Sequence, residues 1–176
     1  MESQSALPLD GQEVDVVVGL GSNLGVPRSQ LAGAVARLSE LAPVRGASAL
    51  YETEPVGGPA QPNYLNAAVR LEFKGSLPEL LRGLLGIERG AGRIRVERWG
   101  PRTLDLDILW ARERVWSEPG LEVPHARLRE RAFALRPLLD VAPDARDPRD
   151  GTAYADVARM LGTAGTLVLE RHWISW

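Results

Sequence analysis

The sequence predicts an α+β domain with a ferredoxin-like core, and three observations carry that expectation. Helical stretches are separated by pairs of strand-like stretches, which favours an antiparallel or mixed sheet with helices packed on it over a doubly wound one. A length of 176 residues suits one core that buries most of its apolar surface without disulfide or metal staples. No internal repeat or low-complexity segment interrupts the pattern.

The elements follow in order. The β-branched apolar run at residues 14–20 reads as a central strand, ended by a glycine-rich turn at 19–25. Leu31, Ala34, Val35, Leu38 and Leu41 recur at the spacing of one helical face and Pro43 follows, so residues 29–41 are expected to be helical. Residues 44–53 and 64–73 are strand-like and enclose a loop holding Pro55, Gly57, Gly58, Pro59 and Pro62. Ser76, Pro78 and Glu79 form a capping-box pattern that introduces a helix through Leu80, Leu84 and Ile87, ending near Gly90. An irregular basic loop at 90–103 leads into a strand running to Trp110, then a turn and a short strand at 114–116. Helices at 131–139 and 154–161 and a strand at 166–171 close the chain. Residues 1–13 are read as a poorly ordered tail and 14–176 as one domain.

Composition removes several function classes. With 44% hydrophobic and 25% charged residues, and no apolar run near the roughly 18 residues of a membrane span, a membrane protein is not expected. The polar, acidic N-terminus lacks the pattern of a secretory signal, so the cytoplasm is the expected address. Without cysteine there are no disulfides or thiolate metal sites, and two histidines give no basis for a histidine-rich one. A net charge of -2 argues against bulk attraction to nucleic acid. The positive charge is nonetheless almost all arginine, Lys74 being the one lysine, and it clusters between Arg89 and Arg102.

That cluster runs into two aspartates. In an extended strand Asp105 and Asp107 face the same way, roughly 6.6 Å apart along the backbone, while Leu104, Leu106 and Ile108 turn towards a core. Magnesium prefers oxygen ligands and takes one or two carboxylates plus substrate phosphates, so the pair beside an arginine-rich loop suits a nucleoside triphosphate. Alternation alone also describes a solvated strand face. Aspartate is depleted in strands, however, and two in one short strand tilt the reading towards metal. Arg93, Arg95 and Arg102 can each present a planar fork to phosphate oxygens, whereas Arg89 and Arg98 read as surface charges.

Tyr64 and Asn66, one residue apart in a strand, place a ring and a carboxamide on one side, able to stack on and pair with a small heteroaromatic ring. Standing alone, the segment would read more readily as a core tyrosine and a turn asparagine. The Gly19-x-Gly21 pattern is a weak dinucleotide signal, since the third glycine is displaced to Gly25, and no P-loop is present. The turn is given a structural role beneath the substrate, with Ser22 and Asn23 contributing polar groups. His125, after Pro124, reads as a capping or hydrogen-bonding residue, not a metal ligand.

The stretch Arg98-Trp99-Gly100-Pro101-Arg102-Thr103-Leu104-Asp105-Leu106-Asp107-Ile108-Leu109 resembles the signature of the 6-hydroxymethyl-7,8-dihydropterin pyrophosphokinase family. Its members move a diphosphate from ATP to a pterin alcohol in folate biosynthesis. Gly19-Leu20-Gly21-Ser22-Asn23-Leu24-Gly25, residues 51–66, and Val123-Pro124-His125 through Arg131 and Phe133 are similar to further family segments in the same order, so the resemblance runs from about residue 14 to the C-terminus. It implies a ferredoxin-like core with an enlarged sheet and mobile loops, ATP as co-substrate, and two magnesium ions on Asp105 and Asp107. On the pterin side it implies a sandwich between Tyr64 and Phe133, pairing by Asn66, and backbone contacts from the loop of Thr53, Pro55 and Val56. On the nucleotide side it implies Arg93 as a catalytic residue together with Arg102, Arg95 and Arg102 on phosphate, Trp99 packing on loop closure and Glu88 in the nucleotide wall. His125 is then expected on an ATP phosphate, Arg131 beside it and Ile108 under the adenine. Ala126 stands where some members carry a larger side chain. The partners implied are small molecules, with no nucleic acid or membrane, and a monomer is expected.

Two other readings use the same residues. A metal-dependent phosphohydrolase or nuclease would use the aspartates with water as acceptor and would not need the Tyr64, Asn66 and Phe133 pocket. A ferredoxin-like RNA-binding module would stack bases on sheet aromatics, against which the net acidity and the lack of an aromatic ribonucleoprotein motif weigh.

Overall fold

The computed structural model describes residues 12–92 and 101–175. Strand β1 (Glu13–Ser22) lies at the centre, between β5 (Asp105–Ala111) and β4 (Tyr64–Lys74). The sheet runs β5-β1-β4-β3-β8, with β3 (Leu50–Thr53) and β8 (Thr166–Glu170) beyond β4, and β2 (Val44–Ala47) on the same side of β4 as β3. Every pair in it is antiparallel. Reading β2 and β3 as one interrupted strand, the order of the first six elements is the βαββαβ of a ferredoxin-like core, and β8 enlarges its sheet.

Helices cover both faces. Helix α1 (Pro27–Leu41) and α2 (Leu77–Gly90) bring Leu31, Leu38, Leu80 and Leu84 against Val16, Val18 and Leu20 of β1 and Leu106 and Ile108 of β5. Helix α3 (Ala132–Val141) and α4 (Tyr154–Leu161) bring Leu135, Leu138 and Tyr154 against Val17, Ala68, Leu109 and Trp110 on the opposite face. Full burial of one such leucine contributes about 1.5–3 kcal/mol. The α2 capping box forms as the sequence indicates, Ser76 Oγ accepting from Glu79 N and Glu79 Oε2 accepting from Ser76 N at 2.7 Å.

Three local expectations are corrected. Gly19 and Gly21 are strand residues, because β1 continues to Ser22 with the chain paired on both sides. The stretch expected as one strand at 44–53 breaks at Ser48, whose Oγ accepts from Ala68 N (2.8 Å) and donates to Ala49 O (2.7 Å), satisfying the backbone where the ladder stops. The short strand expected at 114–116 begins later, as β6 (Trp116–Glu118) paired with β7 (Leu121–Val123), after a turn in which Glu113 has φ 55°. Ile108 is 4% exposed within the α1 and α2 core and lines neither cavity described below.

Candidate active site

The α3 and α4 layer covers only part of its face of the sheet, and the rest is the floor of a cavity of about 890 Å³. Pairing register determines what stands on that floor. Asp105, Gly21, Asn66 and Tyr51 form one row across four strands, and Asp107, Gly19 and Ala68 form the next. Side chains of directly opposed residues share a face, so the two carboxylates of β5 and the carboxamide of β4 flank a strip of glycine.

The glycines are small for a reason visible in the packing. A Cβ on Gly19 would lie 3.0 Å from Leu109 Cδ1, and one on Gly21 would lie 3.0 Å from Asn66 Oδ1. Any side chain at Gly21 would therefore crowd the amide that faces the cavity. Asn66 is itself held, its Nδ2 donating to Thr53 Oγ1 at 2.5 Å, and both residues are buried. Tyr64 stands beside it with its hydroxyl donating to Gln61 Oε1 at 3.3 Å.

Phe133 reaches the cavity from the first turn of α3, packed beneath the Arg131 guanidinium at 5.6 Å from the ring centroid. Two anchors hold α3 and the turn that precedes it. Asp140 Oδ2 accepts from Tyr51 Oη (2.7 Å) and Ala49 N (3.0 Å), tying α3 to β3. Fully buried Asp147 accepts from Arg129 Nε (3.0 Å) in the single 3₁₀ turn that precedes Arg131, and from Arg149 Nε (2.9 Å).

Charge is unevenly spread. Burial first, then the charges of Asp105 and Glu88, push the Asp107 carboxyl up from its ordinary 3.8 to about 7, opposed by Arg131 and Arg102. Such a carboxylate is short of positive charge. A second cavity of about 470 Å³, lined by Leu81, Leu85 and Glu88, shares Arg102, Asp105 and Asp107 with the first, so the acids stand where the two meet. Among the described residues no group of three or more acids or histidines gathers to cage an ion. A pair of aspartates opening on a cavity fits magnesium, which draws its other ligands from water and phosphate.

Arg102 Nη1 donates to Asp105 Oδ2 at 2.6 Å, which places the guanidinium at that junction. His125 lines the larger cavity, and burial, then the charge of Arg131, lower its pKa from 6.5, favouring neutral imidazole. Its Nδ1 accepts from Arg127 N (3.2 Å), so the proton sits on Nε2 as a donor.

Asn23 binds the two halves together. Its Oδ1 accepts from Arg102 N (2.9 Å), and its Nδ2 donates to Gln61 Oε1 (2.9 Å) and Pro62 O (3.0 Å). Ser22 Oγ donates to Thr103 O at 2.6 Å. The residues after β1 thus brace both the loop beside Tyr64 and the segment that enters the aspartate strand.

A family model described as 7,8-dihydro-6-hydroxymethylpterin-pyrophosphokinase matches residues 17–143, which is well over half of the chain. The chain belongs to this family. Among similar pyrophosphokinases, both named 2-amino-4-hydroxy-6-hydroxymethyldihydropteridine pyrophosphokinase, the Synechocystis protein is 46% identical over 137 residues, covering 77% of this chain and 70% of its own. The Pseudomonas aeruginosa protein is 44% identical over 135 residues, covering 76% and 83%. In fold the chain is similar to a Plasmodium falciparum HPPK-DHPS crystal structure, with a TM-score of 0.66 at 13% identity over 85% of this chain. It spans 44% of that longer protein.

Of the residues expected to serve a pyrophosphokinase site, one cavity gathers Thr53, Pro55, Val56, Tyr64, Asn66 and Phe133 with Arg102, Asp105, Asp107, His125 and Arg131. Glu88 lines the adjoining cavity, though its Oε1 accepts from Leu106 N at 2.7 Å. Arg93, Arg95 and Trp99 lie outside the described residues, as does the expected N-terminal tail up to residue 11. The sequence reading missed Gln61, Glu130 and the wall formed by Leu161, Ala164, Gly165 and Thr166. Only Gln61 carried a signal, as an amide in a proline-rich loop before Tyr64; the wall between α4 and β8 reaches the site purely through tertiary folding.

Proposed function

We propose that this chain transfers the terminal diphosphate of ATP to the hydroxymethyl oxygen of 6-hydroxymethyl-7,8-dihydropterin, releasing AMP, as a step of folate biosynthesis that depends on magnesium. The observation that carries this reading is the single cavity in which Asp105 and Asp107 face Tyr64, Asn66 and Phe133 across the glycines of β1. A phosphohydrolase needs the first set and has no use for the second. Membership of the pyrophosphokinase family supports the same choice.

The residues divide the work. Tyr64 and Phe133 are placed to hold the flat ring between them, and Asn66, fixed by Thr53, pairs with its polar edge. Asp105 and Asp107 would hold magnesium, two ions as the resemblance implies, which when bound would supply positive charge to the phosphates. Arg102 and Arg131, with the Nε2 proton of neutral His125, direct positive charge and a hydrogen-bond donor at the triphosphate. The hydroxymethyl oxygen attacks the β-phosphorus and the bond to the α,β-bridging oxygen breaks. AMP leaves with that oxygen, and the hydroxyl proton goes to solvent. Positioning and charge carry most of the catalysis in such transfers, which agrees with a site whose described residues present no separate strong base.

Calorimetric titration tests the shared cavity. The pterin alcohol is expected to bind more tightly when magnesium and a nonhydrolysable ATP analogue are present, by about tenfold or more, the range of ordinary coupling energies between sites. Equal affinity with and without the analogue contradicts adjoining substrates.

A further inference from the structure

Among the described residues strand β5 forms one edge of the sheet, paired on one side alone. Asp105 and Asp107 stand opposite Gly21 and Gly19 of β1, and the backbone N–H of Leu106, between them, points away from β1. At an open edge such a group goes to water. Here it donates at 2.7 Å to Oε1 of Glu88, a residue 3% exposed in the last turn of α2. A buried carboxylate beside two other acids is costly to desolvate, and the hydrogen bond from Leu106 N is one contact that offsets that cost.

We propose that Glu88 is a positioning residue, whose carboxylate pins the Leu106 N–H and thereby fixes the two aspartates on either side of it in the orientation that cation and phosphate require. This rests on the pyrophosphokinase reading of the aspartates and extends it. Leu106 is itself buried at 3% exposure, so its side chain is locked on the core side while Glu88 locks its backbone on the edge side. With both held, the strand cannot rotate about its axis or slip along β1. Misplacing reacting groups by about 1 Å costs on the order of 10²-fold in rate. The role differs from membership of a nucleotide wall, because it requires an acceptor oxygen and not a negative charge.

That distinction gives the test. Glu88→Gln keeps the oxygen and loses the charge, whereas Glu88→Ala and the size-matched Glu88→Met lose both. Two quantities are read on each folded variant: hydrogen exchange of the Leu106 amide in the chain without ligands, and the magnesium concentration giving half-maximal AMP formation. A hydrogen bond to a charged group corresponds to about 10- to 100-fold. E88A and E88M are expected to exchange the Leu106 amide at least about tenfold faster and to need at least about tenfold more magnesium, with KM for the pterin unchanged. E88Q is expected to restore both quantities most of the way to wild type. If E88A does not fold, E88M supplies the same comparison. Loss in E88Q equal to that in E88M, or unchanged Leu106 exchange in E88M, overturns the proposal. A wild-type chain that forms no AMP would instead remove the pyrophosphokinase reading, while the exchange data would still report on the clamp.

Discussion

Asp107→Asn is expected to lower AMP formation from ATP and the pterin alcohol by about 10³-fold or more, because a lost carboxylate ligand forfeits several kcal/mol of charge stabilisation, each 1.36 kcal/mol being tenfold in rate. Steady-state assay of the purified variant checks this, and near-normal turnover contradicts the assignment. The same variant has a second expected property. In the metal-free folded chain burial, then the charges of Asp105 and Glu88, push the Asp107 carboxyl up from an ordinary 3.8 to about 7. Between about pH 4 and pH 7 the folded chain retains a proton that the unfolded chain has released, so the contribution of this group to stability falls as pH rises through that window. Above it the penalty is fully present. D107N carries no such group, so with chelator present it is expected to melt higher than wild type at pH 8, the gap closing towards pH 4. Equal melting at pH 8 contradicts the electrostatic account.

Asn66→Ala is expected to raise the dissociation constant of the pterin alcohol by about 10²-fold, with binding of an ATP analogue altered by less than about threefold. The carboxamide is held by Thr53 at 2.5 Å and backed by Gly21 in place of a side chain, so it is presented with little freedom left to lose. Removing it leaves a donor and an acceptor of the buried ring without partners, at about 1–3 kcal/mol each. Titration of the variant with each ligand separates the two halves of the cavity. A phosphohydrolase using the same aspartates predicts no effect at all.

Both predictions rest on residues that local rules made legible. A two-residue period put Asp105 with Asp107 and Tyr64 with Asn66 on single faces, because strand geometry follows from sequence without knowledge of neighbours. The capping box at Ser76 was legible for the same reason. Gly19 and Gly21 were misread as a turn, since glycine is depleted in strands and here stands in one only because Leu109 and Asn66 pack over it. Asn23 offered one polar side chain in a glycine-rich stretch, while its partners lie 38 to 79 residues away. Glu88 was legible only through the resemblance, as part of a nucleotide wall, and its hydrogen bond to Leu106 depends on how α2 packs on the sheet edge. Long-range contacts of this kind have no signature in the order of residues along the chain.

The most direct measurement is phosphorus NMR of the complete reaction with ATP, magnesium and the pterin alcohol. The account predicts AMP and a pterin diphosphate ester in equal amounts, neither forming when the pterin is left out. ADP with a pterin monophosphate, or free phosphate released at the same rate with and without pterin, would contradict it.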